Sequence, residues 1–282
     1  MHNNGTGAPS EITPPEHIDY LVSSVRLILW FVWRSIDEHP DETVADTIQN
    51  RTDLYWRTAL NPRHLDTPRE KPDSPEWREL LKILEDLHAK NRRMGSAQTF
   101  EEEAIHSLMP YLTPRVERDL TDIRTKVDLA GYQCGSLRYN LEPKSEHPRR
   151  IGFHIANACY PASPFDEPLY LPRCFMAMME QCEKKFQVTE IETCTWINSL
   201  ARWLKLFPQE WLDHMGPPNC DVRGHYGFWG QFLTARRTFN HKLGQQFRET
   251  GRIPFPMRSS WCAIAAMRKH LGSLMGAVQT HP

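Results

Sequence analysis

None of the compact signatures that announce a chemistry occurs in this sequence. It has no GxxxxGK[ST] phosphate loop, no GxGxxG following a strand, no GxSxG nucleophile elbow, and no HExxH or HxxxH pair among its dispersed histidines. It lacks an excess of charge: 34 Lys and Arg stand against 35 Asp and Glu, a formal net charge of -1. Nothing global therefore draws the chain to DNA, RNA or an anionic membrane. Long apolar runs are missing too. The most apolar stretch, "LILWFVW" at 27–33, lies between Arg26 and Arg34, far short of the roughly 20 residues a membrane span needs. It also begins too late, behind a polar and partly acidic tail, for a signal peptide. The cysteines number 7, an odd count, with no CxxC pair and no zinc-finger spacing. Reduced thiols in a soluble cytoplasmic protein are the expectation, with no metal.

The first part of the chain has helical texture. Residues 1–16 are polar and expected as a loose tail, and 17–130 as a helical domain. "HIDYLVSSVRLILWFVWRSI" is a hydrophobic helix, and "DETVADTIQNRTDLYWRTAL" is a second, with Asp41 as its cap. In "SPEWRELLKILEDLHAKNRRM", Ser74 caps a helix that carries Trp77, Leu80, Leu81, Ile83, Leu84 and Leu87 on one broad face. "TFEEEAIHSLMPYL" and "TPRVERDLTDIRTKVDL" read as two further helices, each opening with Thr, the second with Pro114 at its first position.

From 131 to 282 the texture changes. "YQCGSLRYNL" and "RRIGFHIAN" are expected to form two strands joined by the turn-like "EPKSEHP". A helix in "EPLYLPRCFMAMMEQCEKKF" follows, then a strand in "TEIETCTWI" and a helix in "LARWLKLFPQEWLDHM" broken near Pro208. "HYGFWGQFL" reads as another strand, "TARRTFNHKLGQQFRETG" as a helix ending at Gly251, and "SWCAIAAMRKHLGSLM" as a last helix capped by Ser259 or Ser260. The fold class expected is α+β, a helical domain followed by a mixed-sheet α/β domain.

The segments "YQCGSLRYNL", "IGFHIAN", "CTWINSLARWLKLFP" and "IPFPMRSSWCAIAAMRKHL" occur in an order and spacing that resembles a bacterial family. These are acyltransferase-domain proteins in which a helical N-terminal part precedes a GNAT-like α/β part. The likeness covers about the C-terminal half. It departs where the family has a proline after His-Ile, here Ala156, and an acidic residue in the strand-end loop, here Ser199. The resemblance implies transfer of an acyl group from a thioester, acyl-CoA or a carrier protein, to an amine or similar small-molecule nucleophile. The family's phosphate-binding loop has no counterpart: "ACYPASPFDEP" contains no glycine, and Asp166 and Glu167 stand just before the helix, where they would repel a diphosphate.

Within that frame His154 is the acid/base candidate, since only histidine titrates near neutral pH unaided. Strand alternation sets Gly152, His154 and Ala156 on one face, and the small neighbours leave room around the imidazole. The competing reading is a buried histidine bonded to backbone or to Glu192. Cys194 shares a face with Glu192 and Trp196, which would permit a Cys–His pair; Cys159, in the loop, is a more accessible thiol. Thr195, Trp196 and Asn157 would wall the cleft. Arg236 and Arg237 would contact phosphate or carboxylate, and Trp229, between two glycines, would meet a ligand. A solvated helix face is the alternative for the arginines, and core packing for the tryptophans. Two other functions stay open: an inert GNAT-like binding module, and a cleft turned to hydrolysis by a Cys/His pair. The first helix and "RWLKLFPQEW" are apolar enough to pack domains together or to form a homodimer seam.

Overall fold

The structure, a computed structural model, describes residues 11–62 and 73–280. In chain order it contains α1 (Pro14–Glu38), α2 (Val44–Arg51), α3 (Leu54–Arg57), α4 (Pro75–Met94) and α5 (Ala97–Thr125). Then follow β1 (Leu137–Tyr139), β2 (Arg150–Ile155), α6 (Tyr170–Phe186), β3 (Glu190–Thr195), α7 (Ala201–Leu204) and α8 (Gln209–Asp213). The chain closes with α9 (Tyr226–Trp229), α10 (His241–Thr250), β4 (Arg258–Ala263) and α11 (Ile264–Thr280). The class is mixed α+β, and among the described residues no helix is long and apolar enough to cross a membrane. The described residues fall into two units: those within Ile12–Asp128 and Cys220–Pro254, and those within Leu129–Asn219 and Phe255–Pro282. The segment 220–254, expected in the α/β part, clusters with the helical residues. Its aromatic side chains explain why: Trp229, Phe232 and Phe247 pack with Phe31 and Trp30 of α1.

In the helical unit, α1 opens on a capping box in which Thr13 and Glu16 bond each other's backbone N–H. Pro14–Glu16 are thus helical, not tail; of the rest of the expected tail, 11–13 are non-helical and 1–10 lie outside the described residues. Ser74 caps α4 through the Trp77 N–H, as the sequence implies, and Gly95 ends it in the left-handed conformation at φ 69°. The second expected helix is two, α2 and α3. Its cap is Thr43, paired reciprocally with Asp46, and not Asp41. The two helices expected on either side of Pro114 are instead the single α5, with Pro110 and Pro114 inside it. Each proline removes a helix bond, and the Tyr111 carbonyl in that stretch accepts the Ala59 N–H at 2.8 Å. Leu108, Leu112 and Val116 keep one buried face running through the interruption. Charged groups are buried in pairs: Arg57 with Asp53, and Arg115 with Asp119, whose other oxygen meets His17 Nε2 at 3.0 Å. Arg248 of α10 clasps both Glu101 oxygens at 2.9 Å. His88 of α4 sits against Trp33 and Phe100 and accepts from Arg92. Burial pushes its pKa down to about 4, helped by the Arg92 charge.

The second unit is built on a four-stranded sheet of order β1-β2-β3-β4. β1 and β2 are antiparallel, β2 and β3 parallel, and β3 and β4 antiparallel. Alternation decides the two faces. Leu137, Tyr139, Ile151, Phe153, Ile191 and Cys262 point into a core with Phe175, Met178 and Cys182 of α6, Trp203 of α7, Trp211 of α8 and Met267 and Leu271 of α11. Their neighbours Arg150, Gly152, His154, Glu192, Cys194 and Trp261 take the other face. β4 departs from the expectation, in which Arg258 ends an extended link, Ser259 or Ser260 caps the last helix and Trp261, Cys262 and Ala263 belong to that helix. Ser260 and Cys262 are buried while Ser259 and Trp261 are less so, a period of two that places them in the sheet.

Both outer strands are covered. On β1, Leu137 exchanges backbone bonds with Cys134, and the Tyr139 N–H donates to Gln133 Oε1. On β4, Gly216 N–H donates to the Ser259 carbonyl, Asn219 exchanges two bonds with Met257, and the Ala263 N–H donates to Glu210 Oε1.

Candidate functional site

The functional candidates that the structure does bring together lie on β2 and β3. Their parallel ladder runs through Arg150↔Glu190, Ile151↔Ile191 and Gly152↔Glu192 and stops there, although β2 continues to Ile155 and β3 to Thr195. In place of a backbone bond, the Thr193 hydroxyl donates to the Phe153 carbonyl at 2.8 Å. Beyond that point the strand ends are held from the far side. The buried Asn198 donates to the carbonyls of Thr193 at 3.3 Å and Arg258 at 2.8 Å, while its own oxygen accepts from Trp203 Nε1 at 2.9 Å.

His154 stands exposed where β2 runs beyond its ladder with β3, which overturns the reading of a buried histidine. Its partner is Asn140, whose Oδ1 lies 2.9 Å from Nε2. An amide oxygen only accepts, so in this contact the ring Nε2–H is the donor. The expected space beside the imidazole is filled by that same asparagine. A Cβ on Gly152 would lie 2.5 Å from Asn140 Nδ2, so the glycine admits the amide that orients the histidine. Asn140 carried no signal in the sequence, because a hairpin fold is required to bring it there.

Glu192 is engaged elsewhere. Lys144 Nζ lies 2.6 Å from one of its oxygens and Arg150 3.7 Å from the other. Arg150 also pairs with Glu190 at 2.8 Å and lies 3.9 Å from the Trp261 ring, on which His214 stacks at 3.6 Å.

Neither thiol is activated. Desolvation raises the Cys194 pKa, Lys144 opposing and Glu192 adding. Desolvation likewise raises the half-buried Cys159, against a hydrogen bond from Tyr170 that lowers it. The Tyr170 hydroxyl, itself pushed up to about 12 by burial, reaches Ser136 at 3.1 Å. This polar knot ties the loop after β2 to the sheet.

Asn157 organises the same loop, donating to the Ala162 carbonyl at 2.8 Å and accepting from the Cys159 N–H at 2.9 Å. Asp166 accepts from the Ser163 N–H at 2.8 Å, and Glu167 pairs with Arg173. The loop's acids are thus partly answered from within it. Thr195 uses its hydroxyl on the Ile197 N–H, and Trp196 is half-buried, stacked with Phe255 at a centroid distance of 5.9 Å.

Searched against known protein families, curated proteins and solved structures, the chain matches none.

The remaining candidates belong to the helical unit. Trp229 is 1% exposed and donates to the Arg51 carbonyl at 2.9 Å, so it packs in the core of the helical unit. The strand expected over 225–233 is α9 and a 3₁₀ turn, capped by His225, whose ring accepts the Gly227 N–H. Arg236 and Arg237 do not open a helix. They occupy a turn closed by Thr234 and Thr238, and α10 begins later, at the cap Asn240.

Proposed function

We propose that the sheet-bearing unit is a GNAT-like acyltransferase module that moves an acyl group from a thioester to an amine or similar small-molecule nucleophile. The observation that carries this reading is the arrested ladder between β2 and β3. Parallel strands that run on without a ladder leave a slot walled by backbone, suited to an extended amide-bearing arm such as that of a thioester donor. Backbone N–H groups at the slot polarise the thioester carbonyl. His154, its Nε2 bonded to Asn140, accepts the amine proton at Nδ1, directly or through water. The amine nitrogen forms a bond to the carbonyl carbon, and the thiolate leaves with the proton returned to it. No Cys–His step is needed, and the raised thiols argue against one. Small-molecule substrates, a cytoplasmic setting and a homodimer remain part of the same proposal.

The glycine-free loop before α6 supports a second reading, an inert binding module, because its polar side chains are spent on the loop itself.

One experiment separates the two. The purified full-length chain is given acetyl-CoA, or S-acetyl-N-acetylcysteamine, which lacks phosphates, with a panel of amines, and free thiol is measured. Amine-dependent thiol release that falls by roughly 10²- to 10⁴-fold in His154→Ala, with the donor's thermal shift kept, supports acyl transfer. No release from either donor leaves the binding module.

A further inference from the structure

Resting on the acyl-transfer reading, we infer that Thr193 is a positioning residue whose hydroxyl holds the slot open and leaves the Cys194 N–H for the donor carbonyl. Alternate residues of a strand turn their backbone groups to opposite neighbours, and the bonds present fix which way each one turns. The Asn140 N–H donates to the Gly152 carbonyl at 2.9 Å and the Ala156 N–H to that of Ser136 at 3.0 Å. Gly152, His154 and Ala156 thus turn to β1, and Ile151, Phe153 and Ile155 to β3. On β3 the Glu190 N–H donates to the Arg149 carbonyl at 3.0 Å, so Glu190, Glu192 and Cys194 turn to β2. A ladder continued past Gly152↔Glu192 would next join the Cys194 N–H to the Phe153 carbonyl. That carbonyl is taken instead by the Thr193 hydroxyl, at 2.8 Å.

The result is a backbone donor that faces β2, on an exposed residue, to which the ladder gives no acceptor. Continued past its last bridge, the same register sets Cys194 opposite His154, so this N–H lies one strand away and level with the histidine. A thioester carbonyl that accepts from it is polarised beside the group that removes the amine proton. Thr193 acts through the carbonyl it occupies and not on the substrate. Without the hydroxyl, the Phe153 carbonyl and the Cys194 N–H are an unspent acceptor and an unspent donor on adjoining strands. Their pairing extends the ladder by one bond and shortens the slot. Valine has the same branching and suits a strand as well, but it donates nothing.

The test uses the full-length wild-type chain, Thr193→Val and Thr193→Ser. Hydrogen exchange of the Cys194 amide is followed by NMR with and without S-acetyl-N-acetylcysteamine, and steady-state kinetics are read with the same donor and an amine. The expected result is fast exchange in wild type and Thr193→Ser, slowed by about tenfold or more in Thr193→Val, and slowed in wild type when the donor is added. KM for the donor rises by about tenfold or more in Thr193→Val, KM for the amine holds, and Thr193→Ser keeps the wild-type values. A Cys194 amide protected in wild type, or one that the donor does not slow, overturns the inference even where the valine variant fails to fold. Equal exchange in wild type and Thr193→Val overturns it too, as does a serine variant that behaves like the valine one. Amine-dependent thiol release with a donor KM indifferent to the hydroxyl sinks the inference and leaves acyl transfer standing. Exchange governed by the hydroxyl in a chain that releases no thiol removes the transferase, and the donor role with it, leaving Thr193 as a cap on the ladder alone.

Discussion

Asn140 and His154 are joined across the β1–β2 pair by a hydrogen bond of 2.9 Å, and the amide that makes it rests over the Cα of Gly152. Gly152→Ala places a methyl group 2.5 Å from Asn140 Nδ2, so the amide must move and the imidazole loses its orienting partner. Acyl transfer is expected to fall by between about tenfold and a hundredfold with little change in Tm. Nitrogen NMR of the ring, read beside the steady-state rate, checks it: an unchanged Nε2 signal would show that Asn140 has stayed in place.

Asn198 is 1% exposed and spends both ends of its amide on three partners. Asn198→Ala takes a donor from two carbonyls and strands an indole N–H, and a loss of about 2–4 kcal/mol in urea unfolding is expected. Asn198→Asp is expected to be no milder, since a carboxylate cannot donate to carbonyls.

His88 gives a pH dependence with a definite sign. Its folded pKa, about 4, lies below the ordinary 6.5. Between those values the unfolded chain binds a proton that the folded chain refuses, so stability present above pH 6.5 is lost as the pH falls toward 4. Melting curves across that window are expected to show a fall that His88→Gln flattens. Identical slopes would remove His88 as the cause.

Arg248 and Glu101 tie α10 to α5, and the Glu101 side chain is only 11% exposed. Arg248→Ala leaves that carboxylate buried without its partner and is expected to cost about 2–3 kcal/mol, less than a fully buried pair because Arg248 is partly open to water. The double change Arg248→Met with Glu101→Leu is expected to recover most of the loss in the same unfolding assay.

Much of the architecture was legible where one local rule spoke alone. The cap at Ser74, the period-two runs of β2 and β3 and the break at Pro208 stand where the sequence implies. Legibility failed where packing outweighed a local rule. Two prolines should end a helix, yet α5 passes through them because its apolar face stays buried. Aromatics around glycine in "HYGFWGQFL" favour a strand by propensity, but they are enclosed by the helical unit and turn tightly instead. "SSWCA" was hidden by the alanine-rich helix that follows it without a break. At the site, alternation separated His154 from the core residues Ile151 and Phe153 but left open whether its face was buried, whereas Asn140 takes its meaning from a partner that only the β1–β2 pairing brings to it.

The covering of both outer strands bears on how this protein meets others. The bonding groups named on β1 and β4 are already spent on Cys134, Gln133, Gly216, Asn219 and Glu210. An incoming peptide, or a second copy of the chain, would have to break those bonds before it lengthened the sheet. Association through this unit is therefore directed to its surfaces and loops, and ribbon-like polymerisation is opposed by the fold itself.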